Sequence, residues 1–257
     1  MCLSVVCENN EEIILESELF KPFLKNIKNK SFEPYMYVDS EYKLLFPYNI
    51  ENNKAIPLTL KEMKRYPKVF EYLLSNKKDL LNRSNIKSNK WWIYPYPKNL
   101  SIMEEPKLII PVLSLYPRLI YDDNGFYMTG GGGGPFYGLR PFDEDISIFY
   151  LMGILNSNVF NFYVSKKSTQ MRGGYYRYSK QYIEQFPIPL NQSLELIKNV
   201  QKIINLNKEL QIVKTPQEEK LLKIQIDKVD KEINSSVYEL YGLSNDEIDI
   251  IEKSLNK

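Results

Sequence analysis

The residues best suited to bind a charged ligand lie within residues 146–183, a stretch that contains no Asp or Glu. Cations alternate there with tyrosines around a glycine pair, and the candidate contact residues are Lys166, Lys167, Gln170, Arg172, Gly173, Gly174, Tyr175, Tyr176, Arg177 and Lys180. Lys and Arg can neutralise phosphates, Arg and Gln can bond base edges, and Tyr can stack on bases. The pattern predicts a nucleic-acid contact, and the alternative is a solvated basic loop without a ligand.

Three cations elsewhere in the chain, Lys90, Arg118 and Arg140, are expected to extend this surface. Lys90 precedes Trp91 and Trp92, which as tryptophans are more often core residues than ligand contacts. The whole chain carries 34 Lys and Arg against 32 Asp and Glu, a net charge of +2. Because the total is nearly balanced, a nucleic-acid surface must come from local clustering.

The composition excludes several kinds of catalytic or metal site. The 257 residues include no His, the commonest general base and the commonest metal ligand. Cys2 and Cys7 are the two cysteines, so a tetrahedral zinc site cannot form and a disulfide-stapled secreted fold is disfavoured. The glycine run 130–134 continues as Pro135-Phe136 instead of a Lys-Ser/Thr ending, which excludes a phosphate-binding loop. The run either admits close approach of a bulky partner or is a loop without a ligand.

Motifs for catalysis within the chain are weak. Glu41-x-Lys43 and Glu62-x-Lys64 have the spacing of magnesium-dependent nucleases, but such triplets arise by chance when 26% of residues are charged. No Asn-Pro pair occurs, so the Asn-Pro-Pro-aromatic site of amino methyltransferases is absent from the sequence. We therefore predict that the chain itself is non-catalytic and holds no metal and no cofactor.

The elements that must position the contact residues indicate an α+β fold in two parts. Residues 1–190 are rich in Tyr, Pro and short β-branched runs, which predicts a mixed α/β recognition domain. Residues 191–257 hold only Pro216 and are rich in Lys, Glu, Ile and Leu, which predicts a helical tail made of a hairpin and a short terminal helix.

Strand and helix signals in the first part are short. Strands are predicted at Glu12–Leu15, Lys43–Phe46, Lys107–Val112, Arg118–Tyr121 and Gly125–Met128, the last two joined by a turn. Glu18–Ile27 is expected to form a short helix, and residues 59–82 a helix broken at its internal proline. Asp143 or Asp145 is expected to cap a buried helix at residues 146–155.

The tail carries sharper capping signals. Thr215-Pro216-Gln217-Glu218 predicts the start of a long helix, because it combines a Thr cap, a first-turn proline and a Glu three residues after the cap. Gly242 would end that helix in a left-handed conformation, and Ser244 with Glu247 would open a short terminal helix. A second helix at Leu194–Val213 would complete an antiparallel hairpin.

Motifs that follow one another along residues 11–252 give the chain a family resemblance. They are Lys43–Tyr48, Lys90-Trp91-Trp92, Glu105–Ile110, Tyr127–Gly132, Gly153–Ser157, Arg172–Tyr176, Phe186-Pro187-Ile188-Pro189 and Val237–Leu243. By these motifs the chain resembles the TaqI-like C-terminal specificity domain of adenine-specific DNA methyltransferases. Type IIG restriction–modification enzymes and related phage-defence methyltransferases belong to this family.

The resemblance implies a sequence-specific DNA-recognition module that positions a duplex for a separate or missing methyltransferase domain. That domain would bind S-adenosylmethionine and carry the catalytic Asn-Pro-Pro-Tyr, and magnesium would be needed only if the parent enzyme also has endonuclease activity. The chain would then be a fragment or a separate subunit, with double-stranded DNA and the methyltransferase domain or subunit as its partners.

Two other functions stay open at this point. One is a protein-interaction or regulatory piece with little DNA affinity of its own, and the least favoured is an autonomous nuclease that uses Glu62 and Lys64. A cytoplasmic location is expected whichever of these functions holds, DNA recognition included. The longest apolar stretch, residues 146–155, is about half of the ~20 residues that a membrane-spanning helix needs.

Overall fold

The computed structural model of the protein describes residues 2–6, 12–25, 32–129 and 134–255. The strands in these ranges are β1 (Cys2–Val6), β2 (Glu12–Glu16), β3 (Phe20–Leu24), β4 (Lys43–Leu45), β5 (Tyr48–Glu51), β6 (Lys54–Pro57), β7 (Lys107–Pro111), β8 (Leu113–Ser114), β9 (Ile120–Asp122), β10 (Tyr127–Met128), β11 (Phe136–Leu139) and β12 (Tyr176–Arg177). The helices are α1 (Leu60–Met63), α2 (Pro67–Ser75), α3 (Lys77–Leu81), α4 (Ile148–Asn156), α5 (Asn158–Lys167), α6 (Lys180–Ile183), α7 (Leu194–Ile212), α8 (Pro216–Leu240) and α9 (Asn245–Leu255). Short strands with separate helices confirm the α+β fold class. None of the helices in the described ranges has the length and apolar character needed to cross a membrane.

The chain forms two compact units. The first takes its residues from Met1–Lys25, Ser40–Glu105 and Asn124–Met128, and the second from Asn26–Asp39, Pro106–Asp123 and Thr129–Lys257. The expected boundary after residue 190 lies inside the second unit. The division into a recognition domain and a helical tail therefore stays a prediction about function, and it is not the division between the compact units.

The first unit is built from small strand pairs and the short helices α1 to α3. β1 pairs with β2 and β5 with β6, both antiparallel, while β3 lies between antiparallel β4 and parallel β10. Trp91 and Trp92 are 4% and 6% exposed and belong to the unit's apolar core, which confirms that they are core residues. The Trp92 indole N–H donates to the Leu58 carbonyl (3.0 Å), so its polar atom is satisfied inside the core.

The helix predicted at Glu18–Ile27 is wrong. Ser17–Leu19 form one 3₁₀ turn, and the chain then continues as β3, which pairs with β4 on one side and β10 on the other. Two ladders of hydrogen bonds outweigh a weak local helix propensity, and Pro22 inside the segment disfavours a helix further. The last two residues of the predicted helix lie outside the described residues.

The helix predicted at residues 59–82 forms in pieces, and its break at the internal proline is confirmed. Thr59 and Glu62 form a capping box ahead of α1, and Pro67 is the first residue of α2. Proline is favoured there because its missing N–H would have no partner in the first helical turn. A second break at Asn76 separates α2 from α3.

The second unit contains a three-stranded antiparallel sheet in the order β11-β7-β9. The β7 residues Leu108, Ile109 and Ile110 are fully buried, and α4 packs both on this strand and on α7. Gly153 lets α4 and α7 approach closely, because a Cβ there would lie 2.9 Å from side-chain atoms of Leu196 and of Val200. α4 and α7 thus form one rigid layer of the second unit.

The strands β9 and β10, predicted to be joined by a turn, belong to different sheets, because β9 pairs with β7 and β10 pairs with β3. One prediction for the second unit needs correction. Ser147 is the N-cap residue of α4, in place of Asp143 or Asp145. The Ser147 N–H instead donates to the side-chain carbonyl of Gln192 (2.8 Å), and the same side chain donates to the Asp145 carbonyl (2.7 Å). Gln192 thus provides hydrogen-bond partners for the backbone ahead of α4 from a distant position in the chain. No local sequence pattern reveals such a partner.

The helical hairpin of α7 and α8 and the terminal helix α9 are confirmed. The Thr215 hydroxyl accepts from the Glu218 N–H (3.3 Å) and donates to the Glu218 carboxylate (2.7 Å) at the start of α8. Gly242 follows α8 with a φ of +63°, and its N–H donates to the Glu239 carbonyl (2.9 Å). Ser244 accepts from the Glu247 N–H (3.4 Å) ahead of α9. All three capping signals therefore act as predicted.

Candidate nucleic-acid interface

The predicted contact residues between 166 and 177 fall on the end of α5 and on the segment that follows it. Lys166 and Lys167 form the last turn of α5 and are exposed. The helix ends at Ser168, whose N–H donates to the Val164 carbonyl (2.8 Å). We call residues 168–177 the basic loop.

One buried serine closes the base of the basic loop. Ser168 is 8% exposed, and its hydroxyl accepts from the Arg177 N–H (3.1 Å) and donates to the Arg177 carbonyl (3.1 Å). Both bonds engage the backbone, so the main chain of Arg177 is fixed while its side chain remains exposed. Ser168 is not among the contact residues predicted from the sequence, and its hydrogen bonds to a residue nine positions later show its role.

A tight turn forms the tip of the basic loop. The Gly174 N–H donates to the Met171 carbonyl (3.2 Å), and the Met171 N–H donates to the Tyr175 carbonyl (2.7 Å). Gly173 and Gly174 have φ values of +84° and +85°, a region that residues with a side chain rarely adopt. The glycine pair therefore provides a specific backbone conformation, and it places Arg172 at the exposed tip.

A strand pair holds the second half of the basic loop. β12 is antiparallel to β8, with Tyr176 opposite Ser114 and Arg177 opposite Leu113. Directly after β12, the Tyr178 N–H donates to the Val112 carbonyl (2.9 Å) and its ring is fully buried. Burial raises the pKa of Tyr178 well above its ordinary value, so this tyrosine is a neutral core residue. The second half of the basic loop, which includes Arg177, is thus held by β8 and leads directly into the core at Tyr178.

The predicted contact residues of this region differ in exposure. Those exposed to solvent are Lys166, Lys167, Gln170, Arg172, Gly173, Tyr175, Arg177 and Lys180, while Gly174 and Tyr176 are half-buried. Gln170 forms a single β-bridge with Tyr176, which ties the first half of the loop to the second. The structure therefore brings these ten residues to one end of α5 and its adjoining strands.

The cations of this cluster fall into two groups. Across the described ranges, no carboxylate lies within salt-bridge distance of Lys166, Lys167, Arg172 or Arg177, and the Lys166 ammonium instead lies 5.0 Å from the centre of the Phe162 ring. Lys180 differs, because Glu184 one helical turn later pairs with it at 3.3 Å. Both members of that pair are more than 60% exposed, so it contributes little to stability. Lys166, Lys167, Arg172 and Arg177 are therefore the cations of this cluster whose charge no carboxylate of the described structure neutralises.

Arg118 lies in the same unit and is held in place by an aromatic ring. The guanidinium carbon lies 4.2 Å from the centre of the Tyr116 ring, and the Tyr116 hydroxyl donates to the Glu33 carboxylate (2.7 Å). The next residue, Leu119, has its N–H and carbonyl bonded to the Asn156 side chain (2.8 and 3.0 Å). Arg118 thus projects from a fixed backbone with its guanidinium stacked, a geometry typical of preorganised recognition by arginine.

The other two predicted cations lie on other elements. Arg140 follows Leu139, whose partner in the sheet is Leu108, whereas β8 begins beyond Pro111 at the other end of β7. These two ends of β7 are about 10 Å apart along the strand. Lys90 is exposed at the end of a 3₁₀ turn in the first unit. Arg118 is therefore the predicted outlying cation with the best-defined setting.

The nuclease-like triplet of Glu62 and Lys64 has a structural role. The Glu62 carboxylate accepts hydrogen bonds from the Thr59 hydroxyl (2.6 Å) and from the Thr59 N–H (2.7 Å), and these bonds lower the pKa of Glu62. The carboxylate is thus half of the capping box of α1. In the parts of the chain that are described, no group of three or more His, Cys, Asp or Glu could hold a metal ion.

Comparison with known proteins defines the family. Residues 45–188 match the model of the TaqI-like C-terminal specificity domain. This range is more than half of the chain, so the chain belongs to that family, and the predicted resemblance is confirmed. All thirteen predicted contact residues lie inside the matched range, together with β8 and β12.

The chain is similar to part of several larger proteins. It is 28% identical over 197 residues to the type II methyltransferase M.BstVI of Geobacillus stearothermophilus, covering 74% of this chain and 30% of the relative. It is 25% identical over 222 residues to the type II methyltransferase M.BanIII of Aneurinibacillus aneurinilyticus, covering 84% and 36%. It is 25% identical over 189 residues to the type II restriction enzyme and methyltransferase RM.Eco57I of Escherichia coli, covering 69% and 19%. The chain thus spans between 19% and 36% of the length of these relatives.

Proposed function

We propose that the chain is the sequence-specific DNA-recognition module of an adenine-specific restriction–modification methyltransferase. The observation that carries the proposal is that the end of α5 and the basic loop directly after it carry four exposed cations, none with a carboxylate partner in the described structure. Holding like charges together is unfavourable unless a polyanion binds them. Membership of a specificity-domain family and similarity to type II methyltransferases support DNA as that polyanion.

The geometry suggests a division of labour within the cluster. Lys166 and Lys167 project from a helix end as flexible point charges, which suits phosphate contacts. Arg172 at the tip of the turn and Arg177 on β12 have planar guanidinium groups that can bond two acceptors of a guanine at once. Arg118 has a stacked guanidinium and is the third candidate for this role.

The module requires a partner that performs the chemistry. A base inside a duplex must be flipped out before it can be modified, so the recognition module would hold one side of the DNA while a methyltransferase domain takes up the adenine. S-adenosylmethionine would be bound by that domain or subunit, and magnesium would be needed only by an accompanying nuclease. A calorimetric titration of this chain with S-adenosylmethionine is expected to show no binding, and stoichiometric binding would contradict this assignment.

The proposal is tested by selection from random duplexes. The chain, alone and together with a cognate methyltransferase, is incubated with a pool of random-sequence duplexes, and the bound fraction is sequenced over several rounds. We expect one short motif to be enriched, and binding to it to weaken steeply with salt. Enrichment of no motif at low salt, in either arrangement, would contradict sequence-specific recognition.

A protein-interaction role is the second candidate, and the end of the α7–α8 hairpin favours it. Ile212 and Leu221 are 76% and 60% exposed there and line a groove of about 540 Å³ together with Glu209 and Glu218. Ile224, three residues after Leu221 on α8, is 56% exposed. Exposed apolar side chains of this kind are typical of contact surfaces. Loss of methyltransferase binding after replacement of Leu221 and Ile224 by Ser, with duplex binding intact, would assign the hairpin end to the partner.

A further inference from the structure

Three exposed apolar side chains form a row across the basic loop and the residue that follows β8. Leu115, Met171 and Tyr175 are 40%, 41% and 43% exposed. Single exposed apolar residues are ordinary on a protein surface, but a contiguous group of them indicates a contact surface. These three residues are contiguous because of the strand register.

The register places the three side chains on one face. In β8 and β12, Tyr176 is opposite Ser114 and Arg177 is opposite Leu113, so one further step of the antiparallel register places Tyr175 opposite Leu115. Directly opposed residues project to the same face of a sheet. A Cβ on Gly174 would lie 3.6 Å from the Leu115 side chain, which confirms that Leu115 adjoins the turn.

The first half of the basic loop adds the third member of the row. Gln170 bridges to Tyr176, and the Met171 N–H donates to the Tyr175 carbonyl (2.7 Å), so Met171 is opposite Tyr175. We define the apolar row as Leu115, Tyr175 and Met171, in that order across three adjacent segments.

The two faces of this small assembly differ sharply. Ser114 is 2% exposed and Tyr176 packs against the apolar core of the second unit, so the face that bears them is internal. Residues alternate between the faces along a strand, and the outer face therefore presents the apolar row together with Leu113 and Arg177. The apolar row therefore lies on the opposite face from the residues that pack on the core.

We infer that the apolar row is a wedge that packs against the bases of the bound duplex. This inference rests on the proposed function, because the same basic loop must bind DNA. Arg172 at the tip and Arg177 beside the row carry charge that no carboxylate of the described structure neutralises, which favours a polyanion over a protein surface as the occupant.

The chemistry of the row suits the interior of a duplex better than its backbone. Phosphates and sugars offer little to an apolar side chain, whereas base faces stack on aromatic rings and pack on Leu and Met. An apolar projection flanked by cations can therefore enter a groove, with Lys166 and Lys167 on the phosphates, the two arginines at base edges and the apolar atoms between base steps. This arrangement would separate adjacent bases, as wedge residues of other DNA-binding proteins do.

The test compares the chain with a variant in which the row is polar. Leu115→Ser, Met171→Ser and Tyr175→Ser are combined in one variant, and Leu190→Ser, at a site 80% exposed outside the row, is the matched control. Affinity is measured for the duplex enriched by selection, at several salt concentrations. We expect the triple variant to bind about tenfold more weakly than the original chain. Its salt slope should be unchanged, because no phosphate contact is lost.

A second measurement reports on the bases themselves. The enriched duplex carries 2-aminopurine at each adenine position in turn, since this base becomes more fluorescent when it is unstacked. The original chain and the Leu190→Ser control should raise the fluorescence at one step, and the triple variant should not. Tyr175→Phe should retain most of the signal, because it keeps the aromatic ring.

The outcomes separate this inference from the proposed function. If the original chain binds no duplex, either alone or together with a methyltransferase subunit, the proposed function is wrong. If it binds and the triple variant binds equally well, or if both give the same fluorescence, the wedge is wrong while DNA recognition stands. If the triple variant keeps its duplex affinity but no longer associates with a methyltransferase subunit, the row is a protein-docking surface and the inference is overturned.

Discussion

The basic loop and the α7–α8 hairpin keep their shapes by opposite means. The side-chain caps that begin α7 and α8 join residues three positions apart, and an apolar stripe that includes Val229, Ile233 and Val237 is buried along α8. The basic loop has almost no apolar interior, and it depends on Ser168, a glycine pair and the distant strand β8. The hairpin is thus determined locally, while the loop is determined by its surroundings.

The surface charges of the two regions differ in the same way. On α8, Lys223 pairs with Glu219 at 2.6 Å and Lys228 approaches Glu232 at 3.9 Å, each one helical turn apart. The basic loop contains no acidic residue that could neutralise Arg172 or Arg177. The hairpin is therefore close to electrically balanced, and the loop attracts anions. Substitutions in the hairpin should change stability, and substitutions in the loop should change DNA affinity.

The largest expected effect is on the hairpin core. Ile233 is fully buried in the core of the second unit, so Ile233→Ala should lower the free energy of unfolding by about 3 kcal/mol, measured by urea denaturation. Ile224→Ala, in the same helix at a site 56% exposed, is the matched control and should cost less than ~1 kcal/mol. Equal effects of the two substitutions would show that the buried stripe of α8 does not stabilise the fold.

The next largest effect concerns the four exposed cations, two at the end of α5 and two in the basic loop. Arg172→Ala or Arg177→Ala should cost about 1–3 kcal/mol of binding to the enriched duplex and much less for random duplexes, if either forms a bidentate pair with guanine. Lys166→Ala and Lys167→Ala should weaken binding to both, and each should reduce the salt slope by about one unit. Melting temperatures should remain unchanged, since all four side chains are exposed. Unchanged affinity in all four variants would show that these cations form a solvated basic surface that does not bind DNA.

A smaller effect is expected where the basic loop is anchored. Ser168→Ala removes two bonds to the Arg177 backbone and should lower the free energy of unfolding by about 1–2 kcal/mol. Amide hydrogen exchange at Arg177 should accelerate, and affinity for the enriched duplex should fall although no side chain on the DNA surface has changed. Ser165→Ala, which removes one bond within α5 to the Phe162 carbonyl, is the control and should preserve affinity.

These regions also differ in how far the sequence determines them. The capping signals at Thr215, Gly242 and Ser244 involve neighbours along the chain, so the helices they delimit could be predicted. The strand β3 and the N-cap of α4 depend on partners elsewhere, namely β4 and β10 for the strand and Gln192 for the cap. Local propensity cannot reveal such partners.

The candidate interface shows the same limit. Its residue types were visible as an acid-free stretch, but the roles of Ser168 and of the Tyr116 ring beside Arg118 follow from contacts that only the fold creates. The apolar row is a product of strand register, since Leu115 is 56 positions before Met171 in the sequence. The sequence therefore indicates which residues could bind DNA, and the fold determines how they are presented.

The smallest effect is expected at the N-cap of α8, where a substitution should change stability and leave DNA affinity unchanged. Thr215→Ala removes the side-chain cap of α8 and should cost about 1 kcal/mol, which corresponds to roughly 2–4 °C in melting temperature for a protein of this size. Ser235→Ala, at an exposed position inside the same helix, should change stability little, because it removes no cap. Duplex affinity and its salt slope should be unchanged in both variants, since the cap is local to the hairpin. A clear loss of duplex affinity in Thr215→Ala, with its melting temperature intact, would place this end of the hairpin on the DNA and would remove the distinction between a scaffold and a binding region.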